Sequence, residues 1–150
     1  MNMGDCSFVC NMLEREGFMK RRVVFRGRSR TTGEWLYGCL VGGLFCSCDN
    51  DLLYIIDSNK RNYNSWQDII EHMDEFEVVN NTVGQLTNIT DIHGEDIWEK
   101  YLVFQRSLYE DEDFNITGVV AFAKGQWCIF SPEGESPLWS ENRINEKLKV

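Results

Sequence analysis

The feature that most restricts how this chain can fold is an alternation of period two near its start. In Arg22-Val-Val-Phe-Arg-Gly-Arg28, Val23 and Phe25 fall on one face, and Lys20, Arg22, Arg26 and Arg28 fall on the other. Side chains of an extended backbone point alternately to two faces, so the pattern predicts a half-buried strand with a cationic outer face. The short loop Ser29-Arg-Thr-Thr-Gly33 leads into Glu34-Trp-Leu-Tyr-Gly-Cys-Leu-Val41, rich in aromatic and branched residues, and the two segments make a hairpin. Gly42-Gly43 turns the chain, residues 44–48 read as a short strand, Asp49-Asn-Asp51 as a turn and residues 52–57 as the next strand. The first half is therefore expected to be an antiparallel β-meander.

One helix is legible. Ser65 followed by Asp68 matches a capping box, and Trp66, Ile69, Ile70 and Met73 recur at the spacing that lines one helical face with apolar groups. His72 lies off that face and is read as an exposed helical residue, because no second titrating group is placed to orient it as a base. The second half begins near Glu77. Thr82-Val-Gly-Gln-Leu-Thr87 leads to Asp91-Ile-His-Gly94, a turn in which Gly94 takes a positive φ and which accounts for His93. Residues 97–104 are apolar enough for one buried strand, an acidic loop covers 110–113, and 118–123 turns at Lys124-Gly125 onto 126–130. A short terminal helix is expected over 140–149. Strands joined by short turns predict a small barrel or sandwich here. The fold class expected is thus mainly β (α+β).

Charge is unevenly spread along a chain of net charge −9: residues 19–34 sum to +5 and residues 35–100 to −9. A negative domain repels phosphate backbones at long range, which disfavours general nucleic-acid binding, although the basic ribbon of Lys20, Arg22, Arg26, Arg28 and Arg30 could hold a local anion. No apolar run approaches the roughly 18 residues that span a bilayer. The N-terminus carries Asp5 and Glu14 and lacks a basic segment followed by a long apolar one, so no secretory signal is expected. The six cysteines are accordingly read as free thiols. Cys39 and Cys128 sit inside apolar strands as small buried hydrophobes, and neither the cysteines nor His72 and His93 have the spacing of a zinc site. No metal and no cofactor are expected.

Four blocks, Met19-Lys-Arg-Arg-Val-Val-Phe-Arg-Gly27, Thr32-Gly-Glu-Trp-Leu-Tyr-Gly38, Thr82-Val-Gly-Gln-Leu-Thr87 and Asp91-Ile-His-Gly-Glu-Asp-Ile-Trp-Glu99, resemble in order the signature of the YopX family of phage and prophage proteins. The resemblance covers roughly residues 19–130. It implies a two-part, mostly β protein whose second part is a small β-barrel of the Src-homology type, and it implies no enzyme. The organisation it suggests is an N-terminal extension over 1–18, expected to be disordered, a β-meander with one short helix over 19–77, and a barrel domain with a C-terminal tail over 78–150. Where the family reads Glu-Gly-Asp-Ile-Val, this chain has Glu99-Lys-Tyr-Leu-Val103, without the flexible Gly and the acid. The family begins at about Met19, so residues 1–18 are expected to add little to the core.

No nucleophile motif, metal set or spaced carboxylate pair is legible, and Gly42-Gly43 lacks the Lys and following helix of a phosphate loop, so no catalytic residues are assigned. The function expected is that of a phage-encoded accessory protein acting by protein–protein interaction in the cytoplasm of an infected or lysogenic bacterial host. Its most concrete form is an anti-defence inhibitor of the anti-CRISPR kind, whose loop Glu110, Asp111, Glu112 and Asp113 engages the cationic groove of a nucleic-acid enzyme. One alternative is a nucleic-acid-associated module, with Arg22, Arg26, Arg28 and Arg30 on phosphates and aromatics among Trp35, Tyr37, Trp98, Trp127 and Trp139 stacking on bases. Another is a homo-oligomer in which the basic ribbon of one copy meets the acidic face of the next. The basic face also has a purely structural reading: cations on an edge strand prevent edge pairing, or meet the chain's own acids.

Overall fold

The computed structural model describes residues 21–42, 52–60 and 62–149. Lys20, the extension over 1–18 and the strand expected over 44–48 lie outside the described residues. The described chain is mostly β, in two five-stranded antiparallel sheets with one α-helix. The first sheet has the order β3-β2-β1-β4-β5, built from β1 (Phe25–Arg28), β2 (Trp35–Gly42), β3 (Leu53–Ile56), β4 (Gly84–Thr90) and β5 (Asp96–Trp98). The second has the order β10-β6-β7-β8-β9, from β6 (Leu102–Ser107), β7 (Asn115–Ala123), β8 (Gln126–Ser131), β9 (Gly134–Pro137) and β10 (Arg143–Lys147). No ladder closes either sheet into a barrel among the described residues.

The β1–β2 hairpin forms, with Arg26 opposite Tyr37 and Arg28 opposite Trp35, but β1 begins only at Phe25, and Val23, expected on the buried face, is 63% exposed. Its loop closes through Ser29 N–H to Glu34 O at 2.8 Å and Gly33 N–H to Ser29 O at 2.9 Å, with Gly33 at φ +72°. β2 then pairs with β3, and the strands approach so closely that a Cβ on Gly38 would stand 1.9 Å from the Ile56 carbonyl oxygen. Only glycine fits there. Leu36, Ile55 and Val78 pack on one face of this sheet with Phe25, Leu40, Leu53 and Val83 around them. On the other face Tyr54, Met73 and Phe76 pack with Val41, Ile56, Tyr63 and Ile69.

That second cluster is where the helix, α1 (Trp66–Glu71), meets the sheet. Ser65 caps it by accepting from Asp68 N–H at 3.2 Å, and the Asp68 carboxylate reaches back to Asn64 N–H at 3.2 Å, one residue upstream of the expected partner. The expected apolar face is only partly buried. The α-helix ends after six residues and tightens into a 3-10 turn over 73–76, so Phe76 follows Met73 inward while Trp66 and Ile70 stay 72% and 59% exposed.

Two further expectations are corrected. The single strand read over 97–104 is two strands broken at Glu99-Lys100-Tyr101, where Lys100 takes φ +72° and turns the chain from one sheet into the other. The terminal helix read over 140–149 is β10, which pairs with β6 from Arg143–Ser107 to Lys147–Val103. β6 would otherwise be a bare edge, and satisfying its unpaired backbone groups outweighs the weak helical pattern of a charged tail. The Lys124-Gly125 turn forms as read, both residues at positive φ (53° and 79°), as the tightest hairpins require.

The sheets are joined by contacts around that break. Lys100 N–H donates to Val120 O at 2.7 Å, Val120 N–H to Tyr101 O at 2.9 Å, and Ile92 N–H to Asn145 O at 2.9 Å. Ile97 of β5 is fully buried with Val103, Val120 and Ile129 of the second sheet and with Leu138, which follows β9. The chain steps from the first sheet to the second at Glu99-Lys100-Tyr101. No helix among the described residues is long and apolar enough to cross a membrane.

Candidate functional site

β1 carries Arg26 and Arg28 to one face of its sheet, where β2 supplies Trp35 and Tyr37, β5 supplies Trp98, and the 99–101 turn supplies Tyr101. The Arg26 guanidinium lies 4.2 Å from the Trp35 ring centroid, 4.4 Å from that of Tyr101 and 5.3 Å from that of Trp98. Arg28 lies 4.6 Å from the same Trp35 ring. Tyr37 packs edge-on to Trp98 at 5.6 Å. A cationic outer face was expected to be exposed, but Arg26 is only 9% exposed. Trp35 of the hairpin and Trp98 and Tyr101 from the 98–101 region close over it.

Two of the four described arginines of the basic ribbon pair with the chain's own acids. Arg22 pairs with Asp96 at 3.1 Å and Arg30 with Glu77 at 2.9 Å. Arg28 donates to the Gly33 carbonyl at 2.9 Å, and Arg26 to the Tyr101 hydroxyl at 2.9 Å. Neither Arg26 nor Arg28 has a carboxylate partner among the described residues, and the buried Nε of Arg26 has no hydrogen-bond acceptor. A buried cation without an anion is costly, and aromatic faces offset only about 0.5–2 kcal/mol each. Arg26 is thus held by rings in a chain otherwise rich in acids.

The turn that covers Arg26 is Glu99-Lys100-Tyr101. Lys100 lies in the left-handed backbone region, and its ammonium donates to Asn81 O at 2.8 Å and Val83 O at 2.5 Å. Tyr101 faces Arg26. Beyond Tyr101 lies Lys147, 5.3 Å from its ring and paired with Glu95 at 2.5 Å. The hydrogen bond to Glu95 holds the Lys147 ammonium above the usual lysine range.

Beside it, Asp91 ties the β4–β5 turn to β10. Its carboxylate accepts from His93 N–H at 2.9 Å, Glu95 N–H at 3.0 Å and Lys147 N–H at 3.3 Å. Burial pushes the Asp91 carboxyl up, but the N–H groups of Glu95, His93 and Lys147, with the nearby His93, outweigh it and hold the group below its ordinary value. Gly94 takes φ +77° in this turn, as read, and the His93 ring is exposed with Glu146 at 3.9 Å. His72 caps α1, its Nδ1 2.7 Å from Asp68 O and 3.2 Å from the Asp68 carboxylate.

Glu110, Asp111, Glu112 and Asp113 lie together, all exposed, in the loop joining β6 to β7. Glu112 accepts from the Ser107 hydroxyl at 2.7 Å, which anchors the loop; Glu110, Asp111 and Asp113 make no side-chain bond among the described residues. Immediately before them Leu108 and Tyr109 are 50% and 53% exposed. Sequence reading missed this apolar pair because nothing in its spacing separates it from the buried end of β6.

Two grooves expose further apolar surface. One, of about 400 Å³, is lined only by apolar atoms of Cys39, Val41, Ile56, Trp66, Ile69, Ile70 and Met73. Cys39, expected to be buried, opens into it because β2 turns that face away from the Leu36 cluster. Cys128 is buried as expected, and burial pushes its thiol up. The other groove, about 370 Å³, has Phe122, Trp127 and Trp139 beside Arg21, with Phe122 edge-on to Trp127 at 5.2 Å. The five aromatics named as stacking candidates therefore divide: Trp35 and Trp98 face Arg26, with Tyr37 packed edge-on to Trp98, while Trp127 and Trp139 line this groove. No family model, no curated protein and no solved structure matches the chain.

Proposed function

We propose that the protein is a phage-encoded accessory factor that works by binding another protein, and that the β6–β7 loop is its contact surface. The observation that carries this reading is the run from Leu108 to Asp113: two exposed apolar side chains followed by four exposed carboxylates on an anchored loop. An aromatic and an aliphatic anchor flanked by one sign of charge is a composition suited to a cationic groove with an apolar floor. The partner is then a basic protein of the host or the phage, and an inhibitor of a host nucleic-acid enzyme is the form that best uses an acidic surface. The finer fold assignment belongs to the same reading. A small barrel of the Src-homology type over 78–150 is supported by Ile97, which β5 buries in the core of the second sheet.

The test is purification of the tagged protein from a host, with and without nuclease. A stoichiometric protein that survives nuclease, and is lost from the Tyr109→Ser and the Glu110→Gln/Asp111→Asn/Asp113→Asn variants, is the expected result. Unchanged recovery from both variants would remove the loop from the interface. The groove of Phe122, Trp127 and Trp139 beside Arg21 favours a second reading, stacking on single-stranded nucleic acid, which nuclease-sensitive recovery would support.

A further inference from the structure

We propose that Arg26 and Arg28, which share the ring of Trp35, bind a phosphate group at the solvent edge of the cation–aromatic stack. The proposal is independent of the β6–β7 loop. A guanidinium carries five N–H donors, and Arg26 uses one of them, on Tyr101; its faces lie against rings, so the remaining donors are available only along its edge. Its Nε is sealed from solvent and without an acceptor, so the guanidinium charge is left uncompensated by the described residues, and a phosphate at the solvent edge meets the terminal nitrogens rather than Nε. Arg28 is exposed and uses one donor on the Gly33 carbonyl.

The charge balance points the same way. Among the described residues Arg22, Arg30, Lys60, Lys124 and Lys147 each pair with a carboxylate, whereas Arg26 and Arg28, like Arg21, Arg106 and Arg143, do not; what sets Arg26 and Arg28 apart is that both face the Trp35 ring. Two unneutralised guanidiniums at one ring match a dianion with several oxygens better than a single carboxylate, and the planar fork suits bidentate contact with phosphate. Stacking on Trp35 and Tyr101 holds the fork in place before the ligand arrives, which lowers the ordering cost of binding. The net charge of −9 repels an extended polyanion, so the ligand is a single phosphate, free or as a monoester. Tyr37, opposite Arg26 in register and 41% exposed, is the surface for the organic part of a monoester.

The experiment is titration of the full chain with inorganic phosphate and, separately, with adenosine monophosphate at constant ionic strength, following the arginine Nε–H signals by nitrogen-edited NMR. Saturable movement of the Arg28 and Arg26 Nε–H signals is expected; the Arg26 response weakens roughly tenfold in Arg28→Gln, and the Arg28 response is lost in Arg26→Lys, which keeps the charge but not the fork. Because Arg28 is exposed, its variant keeps the test valid if Arg26→Lys fails to fold. Tighter binding of the monoester assigns Tyr37 to the organic group, and equal binding assigns the site to free phosphate. No saturable shift with either ligand, an equal shift with chloride, or undiminished binding in Arg28→Gln would overturn the proposal, as would a response to oligonucleotides alone.

Discussion

The Arg26 guanidinium sits 4.2 Å from the centre of the Trp35 ring, and Arg28 sits 4.6 Å from the same centre. One indole thus faces two cations, neither of which has a carboxylate partner among the described residues. The attraction comes from the negative face of the ring and falls from Trp to Phe to an aliphatic side chain. Trp35→Leu should therefore destabilise the fold more than Trp35→Phe, by about 1–2 kcal/mol beyond the difference in apolar area. Urea denaturation of the two variants reads that difference. Equal stabilities would mean that the ring acts only by filling space.

Lys100 offers a cleaner comparison. Its φ of +72° is unfavourable for any residue with a Cβ, while its ammonium holds the Asn81 and Val83 carbonyls. Lys100→Gly and Lys100→Ala lose those bonds equally and differ only in the backbone. The Gly variant should be more stable than the Ala variant by about 1 kcal/mol. Thermal melts of the pair check this, and an Ala variant as stable as the Gly variant would contradict the left-handed turn between the sheets.

Asp91 sets a pH dependence whose sign follows from its environment. Its folded pKa lies below the ordinary 3.8, so the unfolded chain takes up the proton more readily than the folded one. The stabilisation is fully present above about pH 5 and disappears as pH falls through the folded value. The melting temperature of the wild type should drop on that limb. Asp91→Asn cannot titrate, so it should be less stable at neutral pH, by about 1–3 kcal/mol for the weakened N–H acceptors, and should show a flatter acid limb. Parallel acid limbs would assign the effect to other carboxylates.

The alternation of residues 22–28 located the hairpin but not its faces: β1 covers only Phe25–Arg28, Val23 is exposed, and Arg26 is buried. The Lys124-Gly125 and Asp91–Gly94 turns were legible for a local reason: positive φ at fixed positions. What was not legible depends on distant partners. Arg26 reads as a solvent cation until β5 and Tyr101 close over it from more than seventy residues away. β10 reads as a helix because its strand character comes from β6, and Trp66 and Ile70 read as core because nothing local announces that α1 stops after six residues. The acidic loop was visible as charge, but the exposure of Leu108 and Tyr109 just before it was hidden among ordinary strand residues.

Gln105 illustrates the limit most sharply, since a Gln between Phe104 and Arg106 carries no sequence signal at all. It is fully buried in β6, where its amide donates to Pro137 O at 3.0 Å and to the Asn145 side chain at 2.9 Å and accepts from the Ser136 hydroxyl at 2.6 Å. Asn145 in turn donates to Leu138 O at 2.7 Å, and Arg143 to the Ser136 hydroxyl at 2.6 Å. The network clamps β9 and β10 onto β6 across strands that are not all adjacent. A network of this kind stabilises only while every member is satisfied. Gln105→Ala should leave the Asn145 oxygen and the Pro137 carbonyl without their donor and open a cavity, costing about 3 kcal/mol or more. Gln105→Glu should cost at least as much at neutral pH, because a carboxylate cannot donate to two oxygens and its charge is buried. Chemical denaturation of both variants, with amide exchange in β9 and β10, distinguishes the outcomes: loss of protection confined to those strands is expected, and a change below about 1 kcal/mol in either variant would show that the network is dispensable.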